Sequence, residues 1–325
     1  MPLSRPNARL LLLTFAGWPV FAGAAPLGAT TFVPQSMVCP IGGETFEAQV
    51  IASNSYFGQR PDGMPYSPMP VIPVPECPGN GLILFQDEFS REELNLLTEA
   101  IAHSEFAVLR EEHAQFYRIA WLQQRIGADS YDRATSLMIA GWQADGNADL
   151  KRQYQREFVA AASALDPLAG QEDAWFWLNL RAANALRELG RFDEAAALLL
   201  QLESSSALPQ AEDERESALG LIQGLGRLVG EANPYPEPTN LIPPEMAAER
   251  CLAVNAALSA AERTACASDE VQEAISERRD FERERDETVA EDTFGNAASA
   301  VAEAAMSDVE ALLETADNDI SERTE

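Results

Sequence analysis

Apolar residues recur every three or four positions through the middle of the chain, which is the spacing of a helix with one apolar face. Between positions 171 and 189 they are Trp175, Trp177, Leu178, Ala182, Leu186 and Leu189. The pattern restarts after Gly190 at Phe192, Ala195, Leu198, Leu199 and Leu202. This stretch predicts two antiparallel helices joined by a short turn. Such a hairpin cannot bury its apolar face alone, so it predicts similar helices on either side.

The same spacing predicts further helices before and after this hairpin. The predicted helical ranges are 90–103, 105–126, 129–142, 147–165 and 211–228. Ser90 and Asp129 are residue types that favour a helix N-terminus, and Gly127 is of the type that favours a C-terminus. Together these ranges predict a mainly α protein in which residues 90–230 form an array of helical hairpins. A helical bundle without superhelical repetition is the alternative.

Residues 25–89 differ in composition from the helical region, and they predict a small β-rich module that is also rich in Cys, Pro and Gly. Short runs of β-forming residues at 44–51 and 82–85 predict strands in it. The loop at 54–75 contains clustered prolines, and we expect it to be irregular and exposed. Its aromatic residues Tyr56, Phe57 and Tyr66 are candidates for an interaction surface, the alternative being that they pack on the module.

The C-terminal third divides into a proline-rich part and an acidic part. Within residues 231–266, the prolines of 233–244 block both helix and strand, so this segment predicts a linker or a strap lying over the body. Residues 245–258 and 259–266 predict a short helical hairpin, since Ser259 and Glu262 have the spacing of a capping box. Residues 267–325 predict a largely disordered acidic tail, in which 297–315 could form one helix on a partner.

Charge and the N-terminus together narrow the location and the partners. The chain carries 52 Asp and Glu against 23 Lys and Arg, a formal net charge of −29. Such acidity disfavours nucleic acids and anionic membrane surfaces as partners. Arginines followed by an apolar run at 10–21 predict a signal peptide at 1–24, hence a periplasmic or secreted protein. No later run is long and apolar enough to insert the mature chain in a membrane.

Four cysteines, Cys39, Cys77, Cys251 and Cys266, follow the predicted signal peptide. An even number of cysteines in an oxidising compartment favours disulfides, although four cysteines allow three connectivities. Proximity in sequence selects Cys39 with Cys77 and Cys251 with Cys266.

The first two cysteines lie in the motifs CPIGG at 39–43 and CPGNG at 77–81, which resemble the two knuckles of a zinc ribbon. With the segment ETFEAQVI at 44–51 and IAWLQQRIG at 119–127, they make the chain similar to an uncharacterised bacterial family. In that family a zinc-ribbon-like N-terminal domain precedes helices of the tetratricopeptide (TPR) type. The resemblance implies a metal, but Gly42 and Asn80 replace the second cysteine of each knuckle. We therefore predict no metal and no cofactor, with a Cys39–Cys77 disulfide in place of the zinc.

Residues able to carry catalysis are scarce. His103 and His113 lack the spacing of a metal site, and we expect them to be structural or at the surface. No nucleophile or nucleotide-binding motif is present, so no catalytic residue is predicted. Trp175 and Trp177 lie two positions apart on a helix and point to different faces, which makes them core residues or part of a peptide-docking surface.

These patterns predict a periplasmic or secreted, non-enzymatic scaffold that binds a protein or peptide of the cell envelope through TPR-like helices. The alternative is an envelope enzyme that acts on glycans through acidic residues. A cleft with two converging carboxylates, one of them with a pKa raised by burial, would favour that alternative. A third hypothesis is a module that binds cations or confers solubility through the acidic tail.

Overall fold

The computed structural model describes residues 30–253 and 257–285. The chain begins with a two-stranded antiparallel hairpin, β1 (Thr31–Val38) and β2 (Thr45–Ser53). The prediction of a strand at 44–51 is confirmed by β2. Strand β1 was not predicted, because Pro34 lies in its middle, and proline is tolerated only at sheet edges. The predicted strand at 82–85 is wrong, since only Ile83 pairs there, in a single bridge with Glu76.

The rest of the described chain is mainly helical, as predicted. The helices are α1 (Arg91–Ala102), α2 (Ser104–Glu112), α3 (Gln115–Ile126), α4 (Ser130–Gln143), α5 (Ala148–Ser163), α6 (Glu172–Glu188), α7 (Phe192–Glu203), α8 (Glu212–Gly230), α9 (Pro244–Leu252) and α10 (Ala260–Cys266). Ser90, Asp129 and Asn147 cap α1, α4 and α5 with their side chains, and Gly127 ends α3 in the left-handed conformation.

The single helix predicted at 105–126 is wrong. The structure breaks it at His113 and Ala114 into α2 and α3. The backbone N–H of Ala114 donates to the Tyr154 hydroxyl at 3.1 Å, so α5 supplies the acceptor that an unbroken helix would have provided. A contact across 40 residues is invisible to a local periodicity.

The core lies between helices that pack in chain order. Each of α3 to α7 contacts the next helix, and α6 also contacts α4 and α8. The largest cluster of buried apolar residues includes Leu137, Phe158, Phe176, Leu180, Leu199, Leu202 and Ile222. Helix α6 lies at the centre of this cluster and is therefore covered on more than one side.

A disulfide joins the two knuckles of the N-terminal module where the module packs on the helices. Cys39 and Cys77 lie at disulfide distance, with their Cα atoms 5.7 Å apart, as the proximity prediction requires. Both are buried against Leu97 of α1, Phe106 of α2 and Leu122 of α3. This cluster makes the module part of the helical body and fixes the position of the loop that follows β2.

Residues 233–244 lie across the body, which resolves the choice between linker and strap; they are called the strap below. The strap contains a 3-10 turn at Thr239–Leu241 that contacts α8. The approach is so close that a Cβ at Gly224 of α8 would overlap the Leu241 side chain. A residue without a side chain is therefore required where the strap crosses α8.

The segment after the strap forms a small C-terminal unit. Helix α9 ends at Leu252 rather than at the predicted 258, and α10 begins with the predicted capping box of Ser259 and Glu262. Cys251 and Cys266 lie at disulfide distance, with Cα atoms 5.8 Å apart. Residues 269–285 are helical and bury Val271 and Ile275 against α9, so disorder from position 267 is the wrong prediction for this stretch.

Two predicted segments, the signal peptide at 1–24 and the tail helix at 297–315, lie outside the described residues. Within residues 30–253 and 257–285, none of the helices combines the length and the apolar character needed to cross a membrane. The two disulfides indicate an oxidising, extracytoplasmic environment.

Candidate functional site

A row of polar side chains follows one face of α6. Arg181, Asn184, Arg187 and Glu188 are spaced by three or four positions, so they share that face. A polar face normally lies in solvent, but here Asn184 and Arg187 are 0 % exposed. Two segments of the chain cover it: the loop at 58–66, called the module loop below, and the strap. Helix α6 is thus enclosed on its polar side as well as on its apolar side.

Arg187 binds the main chain of the strap. Its Nη1 donates to the carbonyl oxygens of Asn233 at 2.7 Å and Tyr235 at 2.8 Å. Its Nε and Nη2 donate to Oδ1 of Asn184 at 3.1 and 2.8 Å. The planar guanidinium therefore spans from its own helix to two alternate carbonyls of the strap, which turns there because the N–H of Tyr235 donates to Oδ1 of Asn233. Contacts to carbonyl oxygens recognise the backbone, whatever side chains the segment carries.

The module loop is held to the same helix. Arg181 of α6 donates to the carbonyl oxygen of Pro61 at 2.6 Å. Gly63 lies so near that a Cβ there would be 3.0 Å from Nε of Arg181, and its φ of +87° suits glycine. Trp142 of α4 donates from Nε1 to the carbonyl oxygen of Asp62 at 3.3 Å. The loop was expected to be exposed, but Arg60, Pro61 and Asp62 are buried because these contacts draw it onto the helices.

Arg60 of the module loop joins three parts of the chain. Its guanidinium lies 2.5 Å from Asp62, 2.5 Å from Asp145 after α4, and 3.3 Å from Glu237 of the strap. The Tyr66 hydroxyl donates to Oε2 of Glu237 at 3.2 Å. Arg60 is 5 % exposed. A buried cation with several carboxylate partners fixes the loop, α4 and the strap relative to one another.

Glu188 lies at the inner end of this charged cluster. Its carboxylate accepts from Nε2 of Gln155 at 2.7 Å and from Nδ2 of Asn184 at 2.8 Å. The ammonium of Lys151 lies 2.5 Å from Asp145 and 3.6 Å from Glu188, so it bridges the two carboxylates. These side chains border a cavity of about 400 Å³, whose rim is completed by Arg152, Pro234 and Pro236.

The two carboxyl groups bridged by Lys151 titrate in opposite directions. Burial raises the pKa of Glu188 above its usual value, Asp62 adds to this effect, and Lys151 and Arg187 oppose it. Burial also acts to raise the pKa of Asp145, but hydrogen bonds and charges from Arg60 and Lys151 outweigh it, and the pKa is lowered. The cluster thus contains one carboxyl that resists ionisation and one that favours it.

The raised pKa of Glu188 predicts that its contribution to stability is lost as the pH rises. The contribution of Glu188 is fully present below the ordinary glutamate pKa of about 4.3, and it is lost as the pH rises through the higher pKa that Glu188 has in the folded protein. The free energy of unfolding of Glu188→Gln minus that of wild type is therefore expected to increase from pH 4 to pH 8. Urea denaturation at a series of pH values measures it.

Asp145→Asn is the matched control, with the opposite sign. The pKa of Asp145 is lowered, so its stabilisation is present above about 3.9 and is lost as the pH falls. The cost of Asp145→Asn should therefore shrink in acid. A pH-independent difference between Glu188→Gln and wild type would contradict the prediction for Glu188.

The C-terminal hairpin holds the strap from the other side. Glu262 of α10 is 0 % exposed. Its carboxylate accepts from Nδ2 of Asn233 at 3.0 Å and from Nε of Arg250 at 2.7 Å, and its carbonyl oxygen accepts from the Thr239 hydroxyl at 3.0 Å. The Arg250 guanidinium lies 3.4 Å from the ring centre of Tyr235. The strap is therefore clasped between α6 and the α9–α10 hairpin, which the Cys251–Cys266 disulfide closes.

Protein-family models, curated proteins and solved structures were each compared with the chain, and none matches. The resemblance to a family with a zinc-ribbon-like domain and TPR-like helices therefore stays a prediction. What the cluster can bind follows from its own side chains.

The two predicted tryptophan candidates lie on α6 but outside the polar row. Trp175 is buried in the core and donates from Nε1 to the carbonyl oxygen of Leu165 at 2.9 Å. Trp177 is half-buried, packs edge-on against Phe176 and lies below the guanidinium of Arg181, 5.9 Å from its ring centre. Trp175 is thus a core residue, while Trp177 lies beside the helix face that receives the module loop.

The three aromatic candidates of the N-terminal module separate into two groups. Tyr56 and Phe57 are 61 % and 51 % exposed, and they form an apolar surface beside the module loop. Tyr66 is half-buried and belongs to the charged cluster through Glu237. Burial and the Glu237 carboxylate raise the pKa of Tyr66, so it stays a hydrogen-bond donor. Of the predicted interaction residues, Tyr66 is the one that contacts the strap.

The two histidines lie apart from this cluster. His103 is exposed and caps α2 by accepting from the backbone N–H of Glu105. His113 stacks on Tyr117 and hydrogen bonds to the Tyr154 hydroxyl at 3.0 Å. Burial lowers the pKa of His113, which keeps the ring neutral. In the part of the chain that the structure describes, no three His, Cys, Asp or Glu side chains are grouped to hold a metal ion.

The residues that build the charged cluster were missed by sequence reasoning. Arg181, Asn184, Arg187 and Glu188 were treated as the polar face of an amphipathic helix. Arg60 was placed in an exposed loop. Two signals pointed to them: a regular polar row on the central helix, and Lys151 as the only lysine of the chain. Neither signal identifies the covering segment, because carbonyl groups occur at every position.

Proposed function

We propose that the protein is a non-enzymatic interaction scaffold of the periplasm or the cell exterior. In this proposal α3 to α8 form a TPR-like array, and the polar face of α6 is the floor of its binding groove. The groove binds an extended segment of a protein or peptide of the cell envelope. The observation that carries the proposal is the double hydrogen bond from Arg187 to two backbone carbonyls of the strap, by which the helix binds a segment through its main chain.

The chemistry of the groove supports this function. Arg187, Arg60 and Tyr66 present hydrogen-bond donors toward the strap. Donors on a rigid helix and on a fastened loop are preorganised, which reduces the free energy lost in ordering them on binding. The cavity of about 400 Å³ beside the strap leaves room for side chains of a bound segment. The groove therefore suits a polar, extended ligand better than an apolar helix.

Site-specific photocrosslinking in cells tests this proposal. A benzoylphenylalanine is placed at Arg152, on the rim of the cavity, and in a second strain at Leu200, which is 67 % exposed on α7. The expected result is a recurrent envelope protein captured from position 152 and not from position 200, with the crosslink mapped to one segment of the partner. Capture from position 200 alone, or from neither position, would contradict a groove on the α6 face.

The cluster also favours a second candidate, an envelope enzyme that acts on glycans. Glu188 and Asp145 converge on Lys151, and their pKa values move in opposite directions, as in a pair of acid and base. Turnover of cell-wall glycan fragments by the purified protein, abolished in both Glu188→Gln and Asp145→Asn, would establish it. Release of fragments that both variants retain would exclude these residues as the catalytic pair.

A further inference from the structure

The strap presents a regular set of acceptors to the groove. Arg187 binds the carbonyls of residues 233 and 235, and Arg60 and Tyr66 bind the carboxylate of Glu237. These groups lie at every second residue: two are backbone carbonyls and the third is a side-chain carboxylate. The residues between them are Pro234 and Pro236, and Pro238 follows. The segment is turned, because the N–H of Tyr235 donates to Oδ1 of Asn233 and a bend follows at 236–237. It presents three acceptors to Arg187, Arg60 and Tyr66.

Proline at alternate positions suits a groove that offers donors. A proline has no backbone N–H, so the segment 233–238 leaves few donors without a partner when it lies on Arg187 and Arg60. Proline also keeps a chain extended before it binds, which reduces the entropy lost on docking. The composition of the strap and the donors of the groove are thus complementary.

The first part of the strap is more exposed than the second. Pro234 and Tyr235 are exposed, and the Glu237 side chain is 38 % exposed, although Arg187, Arg60 and Glu262 bind this part. Thr239, by contrast, is 2 % exposed and donates to the backbone of α10. Release of residues 233–237 would therefore break the contacts to Arg187, Arg60 and Glu262 and leave the 3-10 turn anchored. Their departure would uncover Arg187, which is now 0 % exposed.

We infer that residues 233–237 are an intramolecular ligand of the groove, and that the partner which displaces them is an extended, proline-containing segment with an acidic residue. The inference rests on the proposed function and specifies its partner and its regulation. Free protein is closed by its own strap, and a partner must compete with it. The apparent affinity for such a partner is then reduced by the small fraction of molecules with an open groove.

A labelled peptide with the sequence of residues 232–239 tests the inference by fluorescence anisotropy. The protein is the full secreted chain, either wild type or with a loosened strap, Pro234→Gly, Pro236→Gly and Glu237→Gln. These changes make the detached strap more flexible and remove its pair with Arg60, but leave every groove side chain in place. The expected result is a Kd at least about tenfold lower for the loosened variant than for wild type.

Two further measurements, one with a changed protein and one with a changed peptide, identify the groove as the binding site. Adding Arg187→Lys to the loosened variant should remove most of the binding, because one ammonium cannot reproduce the planar guanidinium that binds Asn184 on one side and the two carbonyls on the other. A peptide with glutamine in place of the residue corresponding to Glu237 should bind more weakly. Thermal unfolding by circular dichroism verifies that each variant is folded. Equal Kd values for wild type and loosened protein, or binding unchanged by Arg187→Lys, would overturn the inference.

The peptide-binding experiment and the photocrosslinking experiment can give contradicting results independently of each other. A partner captured at position 152 without any binding of the strap peptide would keep the scaffold function and remove the intramolecular ligand. Peptide binding that depends on Arg187, with no partner captured, would keep the strap as a groove ligand and remove the scaffold function.

Discussion

Replacing Cys39 and Cys77 together by alanine is expected to lower the free energy of unfolding by about 4 kcal/mol. The disulfide joins positions 38 residues apart, so its loss restores a large conformational freedom to the unfolded chain. Both cysteines are also buried in the apolar cluster that seats the module on α1 and α3. Urea denaturation followed by circular dichroism measures the change.

Cys251→Ala with Cys266→Ala is the matched control. This second disulfide closes a shorter separation of 15 residues, for which about 3 kcal/mol is expected. Its variant leaves the module cluster intact. A cost below about 1 kcal/mol for the Cys39 and Cys77 pair would contradict the role of this disulfide as the main constraint on the two knuckles of the module.

Loss of the Cys39–Cys77 disulfide should also loosen the part of the groove that the module loop forms. The module loop provides Arg60 and Tyr66, and its position depends on the hairpin and knuckles that the disulfide secures. In hydrogen exchange, the backbone N–H of Tyr66, which donates to the carbonyl of Gly58, should lose protection in the Cys39 and Cys77 variant. The control variant should leave it protected.

The parts of the fold that sequence reasoning predicted are those with local signals. Caps at Ser90 and Asp129 and the turn at Gly190 located helix ends within one or two residues, because a cap satisfies backbone groups of its own helix. The cysteine pairs followed from proximity. Where the deciding contact is distant, prediction failed: the break between α2 and α3 depends on Tyr154, 40 residues away.

The candidate site was hidden for the same reason. Arg187 contacts carbonyls 46 and 48 residues further along the chain, and Arg60 contacts Asp145 and Glu237 at separations of 85 and 177. A polar row on a helix is usually solvated, so its burial can be inferred only once the covering segments are known. The prolines of 233–244 predicted a linker or a strap lying over the body, and the structure adds which side chains this segment covers.

Arg187→Met is expected to lower the free energy of unfolding by about 3 to 5 kcal/mol, because it removes a buried cation and leaves several buried acceptors without a donor. The acceptors are Oδ1 of Asn184 and the two strap carbonyls. Glu188 loses the guanidinium 3.7 Å away but keeps its contacts with Lys151, Gln155 and Asn184. Arg191→Met is the control, since its pair with Glu194 is exposed and its loss should change the stability little. Urea denaturation of both variants at one pH gives the comparison.

The double variant Arg187→Met with Glu188→Gln distinguishes the effect of the charge on Glu188 from the effect of the hydrogen bonds to the strap. If the cost of Arg187→Met comes mainly from the loss of a positive charge beside the buried Glu188, the second substitution should recover much of the lost stability. If the cost comes from the carbonyls of Asn233 and Tyr235, the double variant should stay as unstable as the single one, and the strap should exchange faster with solvent in both. A cost for Arg187→Met as small as that for Arg191→Met would leave the guanidinium without a stabilising contact to the strap, and the groove would lose the observation on which its proposed function rests.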